Sequence, residues 1–387
     1  MRIGTREIGP NQPAYVIAEL GVNHDGSVER ALELTDAAAR AGVDAVKLQL
    51  FEAERLMSRA SKLAAYQKTA GEKDPVAMLR RLELPLAGME QVIERAHEKG
   101  LHAIVTVFSL EHVEAAKKMA WDAFKTASPD IVNRPLLEAL AGMRGAKETR
   151  PLIVSTGAST LQEVARALTW LRPVGERLGV LQCVSSYPTP LGQGELGGIS
   201  AIADIWPGVV GYSDHTPDVM TSAVAVALGA QVLEKHMTYS KLAVGPDHIA
   251  SLDAREMGEY VEFAIQAFAA KEHLKKEHPP EDLTRFIGGA EKLTARQGEY
   301  VKTKRVLPIE EDVRRVSRQS VVCTRAVGAG EVLRREDVTV KRPGTGLPAY
   351  LLDDVVGKKA LRPIEADVPL VAEDLEGIAA LVGGGER

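Results

Sequence analysis

The sequence predicts a (β/α)8 TIM barrel followed by a small β-rich domain, and three observations carry that prediction. Short β-branched runs alternate with helical patterns from the start to about residue 275, the signature of βα units on a parallel sheet. Eight such runs occur, and eight βα units over roughly 275 residues match the size of this barrel. From residue 316 onward, short strand patterns separated by Gly, Pro and charged turns replace the helical periodicity. An open doubly wound sheet shares the same local signals. No GxGxxG turn follows the first strand, which counts against a dinucleotide-binding version of it.

Taken in order, the expected barrel strands are Ala14–Leu20, Ala45–Leu50, Ala103–Phe108, Ala123–Thr126, Leu152–Ser155, Val180–Ser185, Val209–Ser213 and Gln231–His236. Helix-like stretches follow them, and Thr160 with Glu163 forms a capping box ahead of one. The longest connection, Phe51 to Leu84, reads as a lid loop. The barrel, residues 1–278, ends in a strand–helix–strand unit containing GYSDHT, VLEKHMT and GPDHIASL. There Thr216-Pro217 is expected to start the helix as N-cap and N1. Residues 279–315 read as a linker with one helical turn, 316–376 as the small domain and 377–387 as a frayed tail. Strands are expected in that domain at Val321–Cys323, Val338–Lys341, Val355–Leu361 and Val368–Val371. About sixty residues is near the lower limit for an independent core, so the domain is expected to pack on something else.

Composition narrows the function. The chain has 45% hydrophobic and 26% charged residues, an ordinary globular balance. Its net charge of −5 offers nothing to draw it to a nucleic acid backbone. Two well-separated cysteines, Cys183 and Cys323, form no disulfide framework and fit a reducing compartment. No apolar signal segment or membrane-spanning run is present, so a cytoplasmic protein is expected. Between Val301 and Thr345 eleven Lys/Arg face six Asp/Glu; this is either a solvated basic face or a lid over an anionic site.

The chemistry gathers where barrel strands end, which is where ligands sit in this fold. His215 and His236 lie at neighbouring strand ends with Asp214, Glu234 and Asp247 nearby, a set able to hold a divalent metal with open positions. Glu234 and His236, two residues apart, share a strand face. Lys47 and Lys125 sit inside apolar runs, costly positions unless something compensates their desolvation. With the hydroxyls of Thr106, Ser109, Ser128, Ser155, Thr156 and Ser185 also near strand ends, they suit a phosphate and a carboxylate, while Glu19 and Gln49 stand at the ends of the first two strands. A Schiff-base aldolase is the rival reading for a barrel lysine.

The motifs AELGVNHDGSVERA, GVDAVKLQLF, AYQKTAGEKDPVAMLRRLEL, STGAS, CVSSYPTP, GYSDHT, LEKHMT and GPDHIASL, in that order, resemble the sialic acid synthase family. RQSVVCTRAVGAGEVLRREDVTVKRPGTG resembles that family's appended antifreeze-like (SAF, β-clip) domain. The resemblance runs from about Ala14 to Leu375. It implies a nonulosonic acid synthase that condenses phosphoenolpyruvate with an open-chain N-acyl hexosamine, giving a nine-carbon 2-keto acid and phosphate. It implies a homodimer whose small domain crosses to the partner's barrel. The metal, manganese with magnesium or cobalt as alternatives, falls to His215 and His236. Lys47, Thr106, Lys125, Ser128, Ser155, Ser185 and Ser213 fall where the family holds phosphoenolpyruvate. Gln49, Asp130, Tyr187 and Asp247 fall beside the sugar, Arg318 matches an arginine extended toward the partner's sugar, and Glu19 is the acid/base. Gln182, Ser185-Ser186 and Asp130 depart from the sialic acid version, which leaves the sugar open. A synthase for a phosphorylated aldose and a non-catalytic scaffold are the other readings.

Overall fold

The computed structural model describes residues 1–145, 147–277 and 300–382. A two-residue hairpin, β1 (Arg2–Ile3) and β2 (Arg6–Glu7), precedes the barrel. Eight parallel strands then close on themselves: β3 (Tyr15–Gly21), β4 (Ala45–Leu50), β5 (His102–Val107), β6 (Ala123–Thr126), β7 (Leu152–Ser155), β8 (Leu178–Cys183), β9 (Val209–Asp214) and β10 (Val232–His236). Pairing of β10 with β3, Val232 opposite Tyr15 through His236 opposite Glu19, makes the closure. Strand ends differ from the sequence expectation by at most two residues.

Every barrel strand is almost wholly buried because it faces apolar material on both sides. Outward side chains such as Val16, Val46, Val105 and Val180 pack against the surrounding helices. Inward side chains at the amino-terminal end form a separate layer that includes Ile17, Ile104, Ile153, Leu181 and Val232, with Ile3 and Ile8 of the hairpin region packed into it.

Three connections depart from the sequence reading. The Phe51–Leu84 segment is no open loop: it carries helices at Ala53–Leu56, Ala65–Thr69 and Pro75–Leu82, the last capped by Asp74. Thr216 does not cap a helix. Its N–H and hydroxyl both donate to Asp214 Oδ1 at 2.8 and 2.7 Å, and the helix begins at Thr221. A short polar side chain competing for local backbone groups favours such a turn over a helix start. The segment read as a linker is built into the molecule from Tyr300 onward, with a 3-10 turn at Pro308–Glu310 and a helix at Glu311–Ser317; residues 279–299 of that reading lie outside the described residues.

In the small domain, β11 (Ser320–Cys323) pairs antiparallel with β12 (Val338–Lys341). The Val355–Leu361 and Val368–Val371 stretches form isolated bridges rather than strands, at Val332–Lys359, Ala360–Leu375 and Val322–Pro369. Val321, Leu333, Val340, Leu352 and Leu370 form the core. Order extends beyond residue 376: Ile378 is buried and Ala379–Val382 is helical. The domain rests on the barrel mouth of its own chain, where the Arg342 N–H donates to Leu56 O at 2.8 Å and Gln319 Nε2 donates to Phe108 O at 2.9 Å. Among the described residues, no helix is long and apolar enough to cross a membrane.

Candidate active site

Alternation along the strands decides what the barrel interior contains. The inward row of β3 reads Tyr15, Ile17, Glu19; that of β4 reads Ala45, Lys47, Gln49; that of β10 reads Val232, Glu234, His236. Each row passes from apolar to polar toward the carboxyl end. The polar ends line a cavity enclosing about 900 Å³ of space open to solvent.

Four buried charges form its floor. Lys47 Nζ pairs closely with Glu19 Oε2 and lies 3.8 Å from Glu234 Oε2. Lys125 Nζ lies 3.4 Å from Glu234 Oε1. Lys47 also donates to Thr106 Oγ1 and Lys125 to Ser155 Oγ, both at 2.7 Å. Ser213 Oγ donates to Glu234 Oε1 at 2.9 Å, and Gln49 Nε2 to Glu19 Oε1 at 2.7 Å. Gly21, at φ +50, lies beside this contact: a Cβ there would come within 3.0 Å of Glu19 Oε1 and 3.1 Å of Gln49 Nε2.

The two carboxyls differ in character. Burial raises both, but Lys125 and Lys47 together pull Glu234 down to about 2. Against burial and the Glu234 charge Glu19 has one lysine, Lys47, and the Gln49 hydrogen bond, and it stays above the ordinary carboxyl range. Glu234 is therefore the fixed counter-charge, and Glu19 the group able to exchange a proton. Burial lowers Lys125, whereas for Lys47 the two glutamates outweigh burial and raise it.

His215 and His236 stand with ring centroids 5.5 Å apart, and the Tyr187 ring lies 4.1 Å from that of His215. His215 Nδ1 meets Val184 O at 2.7 Å, which fixes the proton there and leaves Nε2 as the lone-pair nitrogen. Burial, and then the charges of His215 and Lys47, hold His236 well below the usual imidazole range. Its Nδ1 is buried without a hydrogen-bond partner, 3.6 Å from Asp247 Oδ2. Burial lifts Asp247 to about 7. Among the described residues, no group of three or more His, Cys, Asp or Glu side chains is gathered for a metal. Burial alone would lower His215, but the Cys183 thiol beside it raises it; a divalent ion held by the lone pairs of the two imidazoles, with its other positions left for water or substrate, would displace the extra proton from His215.

The structure brings together most of the residues selected from sequence: Glu19, Lys47, Gln49, Thr106, Lys125, Ser128, Ser155, Ser185, Tyr187, Ser213, His215, His236 and Asp247 all line the cavity. Ser185 Oγ is buried and unpartnered. Five selected groups lie elsewhere, among them Ser109, whose buried Oγ has no hydrogen-bond partner. Asp214 turns outward to pair with Lys235 at 3.0 Å, away from the histidines. Thr156 Oγ1 donates to Leu181 O at 3.0 Å. Asp130 Oδ1 accepts from Asn133 at 3.2 Å and from Gln319 of the small domain at 3.1 Å; burial, opposed by Arg342, raises it to about 6. Arg318 is held by Glu163 at 2.7 Å and by Ala158 O at 3.2 Å, beside the cavity rather than in it.

The small-domain arginine that does reach the cavity is Arg342, over the Phe108 ring at 5.6 Å and with Nε unpartnered. Sequence reasoning located the basic stretch that contains it but selected the other arginine. Tyr66, its ring tilted against that of Tyr187 at 5.0 Å, comes from the segment read as a lid. Glu234 was legible as facing inward, from its spacing to His236, but was grouped with the possible metal-holding set, whereas the structure sets it between Lys47 and Lys125.

The NeuB family model matches residues 34–276, and the SAF domain model matches 318–376. The N,N'-diacetyllegionaminic acid synthase of Legionella pneumophila is 32% identical over 96% of this chain and 98% of its own. The N-acetylneuraminate-9-phosphate synthase of Drosophila melanogaster is 31% identical over 93% of this chain and 95% of its own. Among solved structures, the spore coat polysaccharide biosynthesis protein SpsE of Bacillus subtilis superposes with a TM-score of 0.78 at 28% identity, covering 97% of this chain and 98% of that one.

Proposed function

Since the chain belongs to the NeuB family, we propose that it condenses phosphoenolpyruvate with the open-chain aldehyde of an N-acyl hexosamine, or of a deoxy or diacetamido relative, to give a nine-carbon 2-keto acid and phosphate. One observation supports this above the others. Lys47, Lys125 and the hydroxyls of Thr106, Ser128, Ser155, Ser185 and Ser213 converge on a single cavity beside two histidines. A trianion with phosphate and carboxylate ends matches that donor set.

The residues then divide by task. The lysines and hydroxyls hold phosphoenolpyruvate and stabilise the charge that develops on it. His215 and His236 would hold a divalent ion, manganese in this reading with magnesium or cobalt as alternatives; such an ion supplies Lewis-acid polarisation of the aldehyde oxygen. Gln49, Tyr187, Asp247 and, from the small domain, Arg342 orient the sugar. C3 of phosphoenolpyruvate forms a bond to the aldehyde carbon, the C=O electron pair moves to the aldehyde oxygen, which takes the proton of Glu19 to become a hydroxyl, and positive charge is left at C2. Water adds at C2, Glu19 takes its proton, and the tetrahedral intermediate expels phosphate as its C–O bond breaks.

Phosphate release from phosphoenolpyruvate, assayed with manganese across N-acetylmannosamine, its 6-phosphate and its deoxy and diacetamido relatives, tests the reading. Release with one sugar, abolished by chelator, is expected. No release and no binding of phosphoenolpyruvate would overturn it. The proposed working form is a homodimer in which the small domain crosses to the partner's barrel and takes there the seat that it occupies on its own barrel in this structure. Mixing two inactive variants, His236→Ala and Arg342→Ala, tests that arrangement. Crossing leaves one site of each mixed dimer with intact barrel and intact small domain, so activity returns; without crossing both sites stay defective.

A further inference from the structure

The turns after β7 and β8 carry part of the proposed phosphate cradle. Gly157, in the first turn, donates its N–H to Ser128 Oγ at 2.9 Å. A Cβ at Gly157 would fall 2.2 Å from Ser185 Oγ and 2.8 Å from Ser128 Oγ, so the two hydroxyls converge on a point only glycine leaves open. Ala158 follows in the left-handed region at φ +51. Such a turn in a buried place must be held by something outside itself.

The holder comes from the segment joining the barrel to the small domain. Glu310 has no exposed surface. Its Oε1 accepts the N–H of Ala158 at 2.6 Å and that of Ser185 at 2.7 Å, while Oε2 accepts the N–H of Leu307 at 2.9 Å. One carboxyl oxygen thus ties the β7 turn to the end of β8. The other side of the β7 turn is gripped by the same segment, since Arg314 and Arg318 donate to Ala158 O at 2.6 and 3.2 Å. Glu310, Arg314 and Arg318 themselves do not line the cavity.

We infer that Glu310 is a positioning residue for phosphoenolpyruvate: its carboxyl group sets the spacing of Ser128 and Ser185 and so makes the seating of the joining segment a condition of phosphate binding. The inference rests on the assignment of that cradle to phosphoenolpyruvate. Charge-assisted bonds to backbone N–H groups are the strong kind, and a displacement of about 1 Å in a positioned group costs up to ~100-fold in rate.

The test measures phosphoenolpyruvate binding by calorimetry without sugar, on the full-length protein and its Glu310→Gln and Glu310→Ala variants. Hydrogen exchange is followed in parallel in peptides covering 156–160 and 184–187. Glutamine keeps an oxygen toward Ala158 and Ser185 and loses only the bond to Leu307, so affinity within about threefold of the parent is expected, as for one neutral hydrogen bond. Alanine frees both barrel N–H groups; exchange in both peptides should rise and affinity fall by ~10-fold or more, with the sugar KM at saturating phosphoenolpyruvate unchanged. Should the alanine variant not fold, Glu310→Asp keeps the charge but withdraws the oxygen by one methylene, and the same loss is expected. Parental affinity in the alanine or aspartate variant, or equal losses for both substrates, would overturn the positioning role. Failure of the parent protein to bind phosphoenolpyruvate would instead remove the assignment on which it rests.

Discussion

The two ends of the barrel are built from the same eight strands, yet their inward side chains have opposite chemistry. Toward the amino-terminal end, Ile17, Ile104, Ile153 and Val232 fill the interior, and Ile3 and Ile8 pack into that layer. Two residues further along the same strands, the interior holds Glu19, Thr106, Ser155 and Glu234. Removing one such charge from water costs several kcal/mol even after relaxation, so the upper layer is a stability cost that the lower layer and the outer helices offset. Conservation of the fold and performance of the chemistry are thereby assigned to different layers of one scaffold. Substitutions at the two ends should separate activity from stability.

The largest effect is expected at the upper end. Lys125→Met removes a donor to the proposed phosphoenolpyruvate and leaves Glu234 with one lysine, Lys47 at 3.8 Å, and the Ser213 hydroxyl. We expect kcat/KM to fall by ~10³ or more, with a stability loss at neutral pH of about 3 kcal/mol from the weakened buried pair. Steady-state kinetics and urea denaturation read the two; activity within tenfold of the parent would contradict the role of this lysine. The lower-end counterpart is Ile17→Ala. It should cost about 3 kcal/mol through the cavity it leaves while kcat/KM per folded molecule stays at the parental value. A fall in kcat/KM there would show that the layers are not independent.

Much of this division was legible in the sequence because it follows from period two alone. Lys47 within DAVKLQL and Glu234 within VLEKH could be assigned a face without any tertiary information. What was not legible depended on tertiary seating. Arg318 and Arg342 lie in the same basic stretch, and only the bridge between Met57 and Arg342 decides which reaches the cavity. Glu310 sits among turn residues without periodicity, so nothing local marked it as buried. Thr216 had the composition of a helix start, but the Asp214 side chain claimed its donors. The strand ends of the site could be read; the groups from other elements that complete it could not.

Asp130 lies at the border between upper layer and small domain, and its effect should be intermediate. Burial raises it to about 6 against an ordinary 3.8. Between these values the folded protein holds a proton that the unfolded chain has released, so stability falls as pH rises from about 4 to about 6 and stays lower above that. Asp130→Asn should abolish that part of the slope and be about 3 kcal/mol more stable than the parent at pH 7. Urea denaturation of both proteins from pH 4 to 7 checks it; parallel curves would mean that Gln319, Asn133 and Arg342 already compensate the buried carboxylate.

The smallest effects come from deleting the same atom at each end. Tyr15, at the bottom of β3, places its hydroxyl 2.8 Å from His102 Nδ1, and its ring is fully buried. Tyr15→Phe breaks that bond and leaves the imidazole nitrogen unpaired, at a stability cost of about 1 kcal/mol, with no route to the chemistry at the far end of the strand. Tyr187 belongs to the cavity wall, its ring against both histidines. Tyr187→Phe keeps that ring contact and should leave the melting temperature unchanged, while raising the sugar KM several-fold, as expected for one lost hydrogen bond to substrate of about 1 kcal/mol. Opposite readouts from one identical change would place the boundary between the two layers inside the barrel. A loss of stability in both variants would show instead that the hydroxyl of Tyr187 serves the fold, and the sugar's orientation would then rest on Gln49, Asp247 and Arg342.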